Sequence, residues 1–373
     1  KFNSSVQKGV FKVKIDFFLC LVPDCSLTLK EIEFLGTQLC WLGNLSFVGL
    51  SVACLLDPSP FLSLRQWTSV SFSFSSLKYS FSSFVHISTN SRWDALLFSR
   101  FLQSPIAVTG VQSGSTIREH QEVTTNARLS RCQFIECKSQ SGGGILATGC
   151  RLEVFGCEFI DCACEVDAGG VRMTSGVLDI SCVDFRRCHA NGGNIEYSGT
   201  ALGAVDSDVR CRDLVFYQCW NSTNTYKDNV YGFNNGKCDV SRINVTNCQS
   251  YLGALGGMFS SPLTGSEVTF INVEKSVDSC VLESWYMPLT ISYVNIFGNE
   301  MYSLFFTKSA TLTLRNGCIF KNTFEDTDRG QVELFDCLSD NYPKVKTVDF
   351  ITTYKIVRGE MCGTHILTHN YEF

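Results

Sequence analysis

The sequence predicts an all-β parallel β-helix, a solenoid in which successive coils of short strands stack on one another. Three observations predict it: one apolar template recurs along the chain, glycine clusters follow several copies, and 45% of the 373 residues are hydrophobic while only 18% are charged. A single coil cannot bury its own apolar side, so the coils must stack to form a continuous core. We expect about ten to twelve coils with an N-terminal cap.

The template is clearest from Arg151 to Cys162 (RLEVFGCEFIDC), where apolar and polar residues alternate and then skip one position. Alternation indicates a strand with one buried side, and the skip indicates a bend before the next strand. The fourth apolar position is often Phe, which predicts an internal aromatic stack. Three residues later comes Cys, Asn or Thr, whose side chains can hydrogen-bond the backbone of the next coil. Copies begin at Leu27, Ala127, Leu152, Leu178, Val209, Cys238, Leu289, Leu312 and Val345, and a ragged copy ends at Val277 and Cys280.

The two parts of the chain differ in how regular the repeat is, and no linker separates them. Residues 1–126 predict an irregular N-terminal cap and the first coils, and residues 127–373 predict the regular coils of one continuous domain. The alternation of Ser and Phe from Ser71 to Phe84 is typical of a strand. Because the open end of a solenoid exposes a sheet edge, we expect residues Val10 to Val22 to cover that end.

Three stretches resemble a known repeat family: FIECKSQSGGGI, FIDCACEVDAGGV and FRRCHANGGNI. They are similar to the repeat of polymorphic outer-membrane proteins and to the Cys-bearing versions in surface proteins of parasitic protists. The resemblance covers residues 127–248 well and 289–353 loosely. It implies a right-handed, single-stranded parallel β-helix on a cell surface with adhesion or coat roles. The chain departs from the family pattern by placing Cys where Asn is usual.

The chain has 20 cysteines, and many of them recur in the template. Neighbouring coils are about 4.8 Å apart, which falls within the Cα separation that a disulfide allows. The same spacing suits a column of buried free thiols, so both alternatives stay open. The predicted disulfide or thiol ladder consists of Cys137, Cys162, Cys188, Cys219, Cys248 and Cys280, with Cys132 and Cys157 as a second pair.

Compartment and partners are predicted from composition and short motifs. Abundant cysteines together with N-glycosylation sequons favour a secreted or cell-surface protein. The net charge of −5 argues against a nucleic-acid partner, and no apolar stretch is long enough for a transmembrane helix. We expect no cofactor and no metal site. The sequons lie at Asn3, Asn44, Asn221 and Asn244.

These features predict an extracellular β-helix with a structural or adhesive function, which binds glycans or other surface proteins and has no catalytic residues. Aromatic residues in an inserted loop often stack on sugars or protein partners. One alternative is a secreted polysaccharide lyase or glycoside hydrolase of the pectin-lyase-like fold, because outward positions carry several acids. A second alternative is a filament subunit that self-associates end to end. The candidate binding loop contains Trp220, Tyr226, Tyr231 and Phe233.

Overall fold

The computed structural model describes strand segments between residues 26 and 87, and residues 91–101, 105–109, 126–191, 199–221, 229–249, 253–258, 262–274, 279–340, 342 and 346–347. No helix occurs in this part of the chain, and every strand pairing in it is parallel. The strands form three long ladders, named here face A, face B and face C, and one short four-stranded sheet. This arrangement confirms the predicted parallel β-helix.

Face A contains the first strand of the template, and its thirteen segments are one per coil. The number slightly exceeds the ten to twelve predicted, because residues 26–94 supply four coils. The segments are Ser26–Lys30, Asn44–Val48, Ser69–Ser73, Ser91–Asp94, Asn126–Ser130, Arg151–Phe155, the first parts of Val177–Arg186, Asp208–Tyr217, Cys238–Thr246, Leu263–Ile271 and Leu289–Phe297, and the ends of Glu300–Arg315 and Thr323–Phe335.

Face B follows face A in each coil. It consists of Glu33–Phe34, Ser51–Leu55, Ser76–Ser80, Leu97–Phe101, Gln133–Ile135, Glu158–Ile160, the second parts of the five long strands that begin on face A, Cys318–Phe320, Leu338–Ser339 and Lys346–Thr347. The short sheet comes next and consists of Lys138–Ser141, Ala163–Asp167, His189–Ala190 and Trp220–Asn221.

Face C closes each coil before the chain returns to face A. It consists of Leu62–Leu64, Val85–Ile87, Ile106–Thr109, Ile145–Thr148, Val171–Thr174, Gly199–Val205, Asn229–Asn234, Gly253–Met258, Cys280–Trp285 and the first parts of Glu300–Arg315 and Thr323–Phe335. The ladders run unbroken across residue 126. The proposed cap at residues 10–22 lies outside the described residues, and the handedness stays a prediction.

The skipped position of the template is a single residue in the left-handed region, which turns the chain from face A to face B. A positive φ lets one residue change the strand direction, although it is unfavourable for most side chains. Only one of these corners in the described coils is glycine, so the stacked coils hold ordinary residues in this conformation. The corner residues are Ala95, Arg131, Gly156, Cys182, Asp213, Arg242, Glu267, Tyr293, Asn316 and Asp336.

The core confirms the predicted aromatic stack. Phe98, Phe134, Phe159, Phe185 and Phe216 lie on face B of successive coils, with ring centroids 4.6 to 5.0 Å apart and nearly parallel planes. All five occupy the fourth apolar position or its equivalent, and all five side chains are fully buried. The stack of phenylalanine rings ends at Phe216, and the face B column continues through Val245, Phe270 and Ile296.

Candidate functional site

Outward carboxylates on the coils are paired with arginines of neighbouring coils. Arg187 Nε lies 2.6 Å from Asp161 Oδ1, and both residues are at equivalent corners of adjacent coils. Arg242 forms the same kind of pair with Asp213, which is buried, with 2.7 Å between Nη2 and Oδ2. Such pairs link one coil to the next on the outside of the solenoid.

The same pairing sets the titration of a carboxylate at the start of the regular coils. Arg131 Nε donates to Asp94 Oδ1 at 3.0 Å. This hydrogen bond, more than any other contact, lowers the pKa of Asp94 below its usual value. On face A, Arg151 Nη2 lies 2.5 Å from Asp179 Oδ2. Both acids are therefore bound by arginines of neighbouring coils.

Asp184 is a buried outward acid that differs from Asp213 in having one oxygen outside its arginine pair. Arg186 Nε donates to its Oδ2 at 2.8 Å, and its Oδ1 has no hydrogen-bond partner within the part of the chain that the structure describes. Glu158 is its register neighbour on the preceding coil. Burial, more than the repulsion from Glu158, raises the pKa of Asp184. A buried carboxyl group beside a second carboxyl group is an arrangement that acid–base chemistry can use, and no sequence motif singled it out.

Trp220 is the candidate loop residue that the structure places on the surface. It belongs to the short sheet, is 38% exposed, and stacks on His189 with 4.6 Å between ring centroids and 7° between planes. Parallel bridges place Gln249 and then Glu274 next in this column. A flat aromatic pair beside an amide and a carboxylate can contact an apolar ring face and hydrogen-bond its rim.

Tyr231 and Phe233 lie in the core, so the prediction of a binding loop is wrong for both. They occupy alternate inward positions of Asn229–Asn234 and are 0% and 3% exposed. The Tyr231 ring stacks on Phe216 with 4.9 Å between ring centroids. The next residue of the phenylalanine column is Val245, which has no ring to stack on Phe216. Phe233 packs edge-on against Tyr231. The remaining candidate, Tyr226, lies outside the described residues.

Five of the six predicted ladder cysteines form one buried column of free thiols. Each Sγ lies 3.3 to 3.7 Å from the backbone oxygen of the Phe one coil before it. Burial raises the pKa of Cys188 and Cys248 well above the ordinary value, so these thiols stay protonated and unreactive. The column consists of Cys137, Cys162, Cys188, Cys219 and Cys248.

Cys280 does not belong to this column. It begins the face C strand Cys280–Trp285, opposite Gly253, and the residue that follows Cys248 in the column is Val273. Asn299 and Asn322 come next, and Asn299 Nδ2 donates to Phe270 O at 3.1 Å. Small polar side chains therefore bind the backbone of the neighbouring coil, as the template predicts.

Cys132 and Cys157 lie on adjacent coils, as expected for the second pair, and both are free thiols. The Cys132 amide donates to Cys157 Sγ at 3.4 Å. Cys182 is disulfide-bonded, which no pattern in the sequence indicated. Of the two alternatives, disulfides or free thiols, the predicted ladder cysteines are free thiols.

The sequons fall in different surroundings, and glycosylation stays a prediction. Asn3 lies outside the described residues, while Asn44 and Asn221 lie at strand positions. Asn244 lies within Cys238–Thr246, and the Thr246 hydroxyl donates to its Oδ1 at 2.7 Å. Thr246 is itself buried, so the Asn244 sequon is packed within a strand of the folded sheet.

Comparison with known proteins adds no assignment: no family model, no curated protein and no solved structure matches this chain. The resemblance to polymorphic outer-membrane-protein repeats therefore stays a prediction, as does end-to-end self-association. Within the described ranges, no helix is long and apolar enough to cross a membrane. No group of three or more His, Cys, Asp or Glu side chains there is arranged to hold a metal ion.

Proposed function

We propose that this chain is an extracellular or cell-surface β-helix with a structural or adhesive, non-catalytic function. The observation that supports the proposal best is the pairing of outward carboxylates with arginines across coils. Side chains held in this way stiffen a long scaffold and are not available to transfer protons to a substrate. The exposed Trp220–His189 pair supplies a contact surface on that scaffold, of the kind that binds glycans or surface proteins.

An adhesion assay tests this proposal. Cells are allowed to attach to surfaces coated with the wild-type protein, with Trp220→Ala or with Phe155→Ala. Phe155 is also an exposed aromatic residue, at 48%, but it lies on face A away from the short sheet. We expect Trp220→Ala to weaken attachment and Phe155→Ala to leave it unchanged. Equal attachment of all three proteins, or none by the wild type, would contradict the proposal. Glycosidase treatment of the cells separates glycan partners from protein partners.

A second candidate function is a lyase or hydrolase acting on acidic polysaccharide. It is favoured by one observation, the raised pKa of buried Asp184 beside Glu158. The test is to incubate the protein with polygalacturonate and measure new reducing ends and unsaturated products. Product formation that Asp184→Asn abolishes would establish this function and refute the scaffold. We expect no product from either protein.

A further inference from the structure

Cys182 is a corner residue between faces A and B, and it is joined to another part of the chain by a disulfide bond. Fourteen other cysteines are free thiols. The bond lies within this single chain, so the partner of Cys182 is one of the five cysteines that remain. These are Cys20, Cys25, Cys40, Cys54 and Cys362.

The reach of the chain excludes the four cysteines that precede the regular coils. Cys182 lies in the seventh coil and Cys54 in the second, so roughly 24 Å of stacked coils separates them, whereas a disulfide spans at most about 7 Å between Cα atoms. Cys40 is four residues from the second coil, and Cys25 and Cys20 are one and six residues from the first. Six extended residues cover about 20 Å, which even with the length of the bond falls short of the roughly 29 Å between the first coil and the seventh.

Cys362 has the reach that the other four lack. Thr347, the last described residue, lies on face B in the fourteenth coil, seven coils beyond Cys182, which corresponds to roughly 34 Å. Fifteen residues of chain lead from Thr347 to Cys362, and they extend over about 50 Å. The length of chain therefore selects Cys362 as the partner.

The surface around Cys182 is buried although its side chains point outward. Eight of the ten corner residues between faces A and B are exposed or half-buried, whereas Cys182 and Asp213 are 8% and 4% exposed. The arginine bound to Asp213 does not explain this, because the comparable pair Arg187–Asp161 leaves its carboxylate side chain 39% exposed, against 6% for Asp213. Asp184, two residues after Cys182, is 5% exposed, and its Oδ1 has no hydrogen-bond partner among the described residues. A segment that covers this surface and carries a donor would satisfy that oxygen.

We infer that Cys182 is bonded to Cys362, and that residues 348–373 form a covalent strap that returns along the corner between faces A and B and covers the surface around Cys182. The strap ties the C-terminal coils to the middle of the solenoid, which goes beyond the proposed function and does not depend on adhesion. Thr364, two residues after Cys362, can supply a hydroxyl donor for the Asp184 oxygen. Closing the bond removes two protons and two electrons from the two thiols, and a disulfide such as oxidised glutathione accepts them and becomes two thiols.

Peptide mapping of the wild type tests the pairing. The protein is denatured, its free thiols are alkylated without reduction, and it is digested with trypsin. Cleavage after arginine gives residues 173–186 and residues 359–373, which contain Cys182 and Cys362 as their only cysteines. We expect mass spectrometry to find these two peptides joined, and to find them separate after reduction.

Carbodiimide labelling of carboxyl groups tests the cover. In Cys362→Ser the strap loses its attachment, so labelling of Asp184 and Asp213 should rise several-fold over the wild type. Labelling of Asp161, which is already exposed, should stay the same and shows that the coils remain folded. Cys20→Ser is the matched control, because it also removes one cysteine of a terminal segment, and it should label as the wild type does.

The inference is overturned if peptide 173–186 is joined to any other cysteine, if Cys182 is alkylated without reduction, or if Cys362→Ser and Cys20→Ser label alike. Should Cys362→Ser fail to fold, the pairing mapped in the wild type still decides. Both measurements use the purified protein rather than cells, so a failure here is distinguishable from a failure of the proposed function.

Discussion

The aromatic column makes a quantitative prediction about Phe159. Its ring stacks on Phe134 at 4.6 Å and on Phe185 at 5.0 Å, and the side chain is fully buried. Phe270 occupies the equivalent position of a later coil, where its register neighbours are Val245 and Ile296. Phe159→Leu and Phe270→Leu remove similar buried area, so their difference isolates ring stacking. With about 0.5–1.5 kcal/mol for each aromatic pair, Phe159→Leu should cost about 1–3 kcal/mol more.

Local opening measures this difference better than a global transition, because each coil of a repeat protein contributes its own stability. Hydrogen exchange of the amides in Glu158–Ile160 and in Leu263–Ile271 reports the free energy of opening each coil. The wild type provides the reference for each peptide. Equal losses of protection in the two variants would show that the rings contribute only through burial, and the reasoning about stacking would be refuted.

Three further predictions concern an internal asparagine, a buried carboxyl group and two cysteines. Asn299→Ala removes partners from Val273 N and Phe270 O and should cost about 2–5 kcal/mol in denaturant unfolding, while Asn299→Cys should recover part of this. Burial raises the pKa of Asp184 in the folded protein, so the ionisation of Asp184 destabilises the fold more as pH rises through that pKa. Asp184→Asn should therefore be more stable than the wild type at neutral pH. This difference in stability should vanish below about pH 4, where Asp184 is protonated in the unfolded chain as well. Half-buried Cys318 should be alkylated before Cys150, whose pKa burial raises to about 12, as mass spectrometry of the native protein would show.

The inward residues of the template were predictable because a repeated pattern must form a repeated contact. Leu152, Val154, Phe159 and Cys162 are all buried, and each has its equivalent on the next coil in register. The bend was predictable as a skipped position, since one extra residue must leave the alternation where the strand turns. The residue type at the bend was not, because stacking holds even Tyr293 there at positive φ.

One copy of the template was missed because its inward position is a glycine. The true copy runs from Leu263 through Val268 to Val273, and Gly265 occupies the position that is apolar elsewhere. A Cβ at Gly265 would lie 2.7 Å from Val240 Cγ2, so the packing requires glycine where the pattern requires an apolar side chain. Reading past it led to the wrong assignment of Cys280. The copy that begins at Val332 was also missed, while the copy predicted at Val345 lies almost entirely outside the described residues.

The middle outward residue of face A is charged in the coils from Arg128 to Asp239 and is threonine in the next three coils, and the inside of the solenoid changes along the same direction. Where the internal column is cysteine, its hydrogen bonds to backbone oxygens are those of thiols, which are weak donors. Those same coils carry the arginine–carboxylate pairs on the outside, which add attraction between coils. Where the column becomes Asn299 and Asn322, amide groups connect the coils at 2.9 Å from within. External pairs are then unnecessary for holding the coils of Thr290 and Thr313 together.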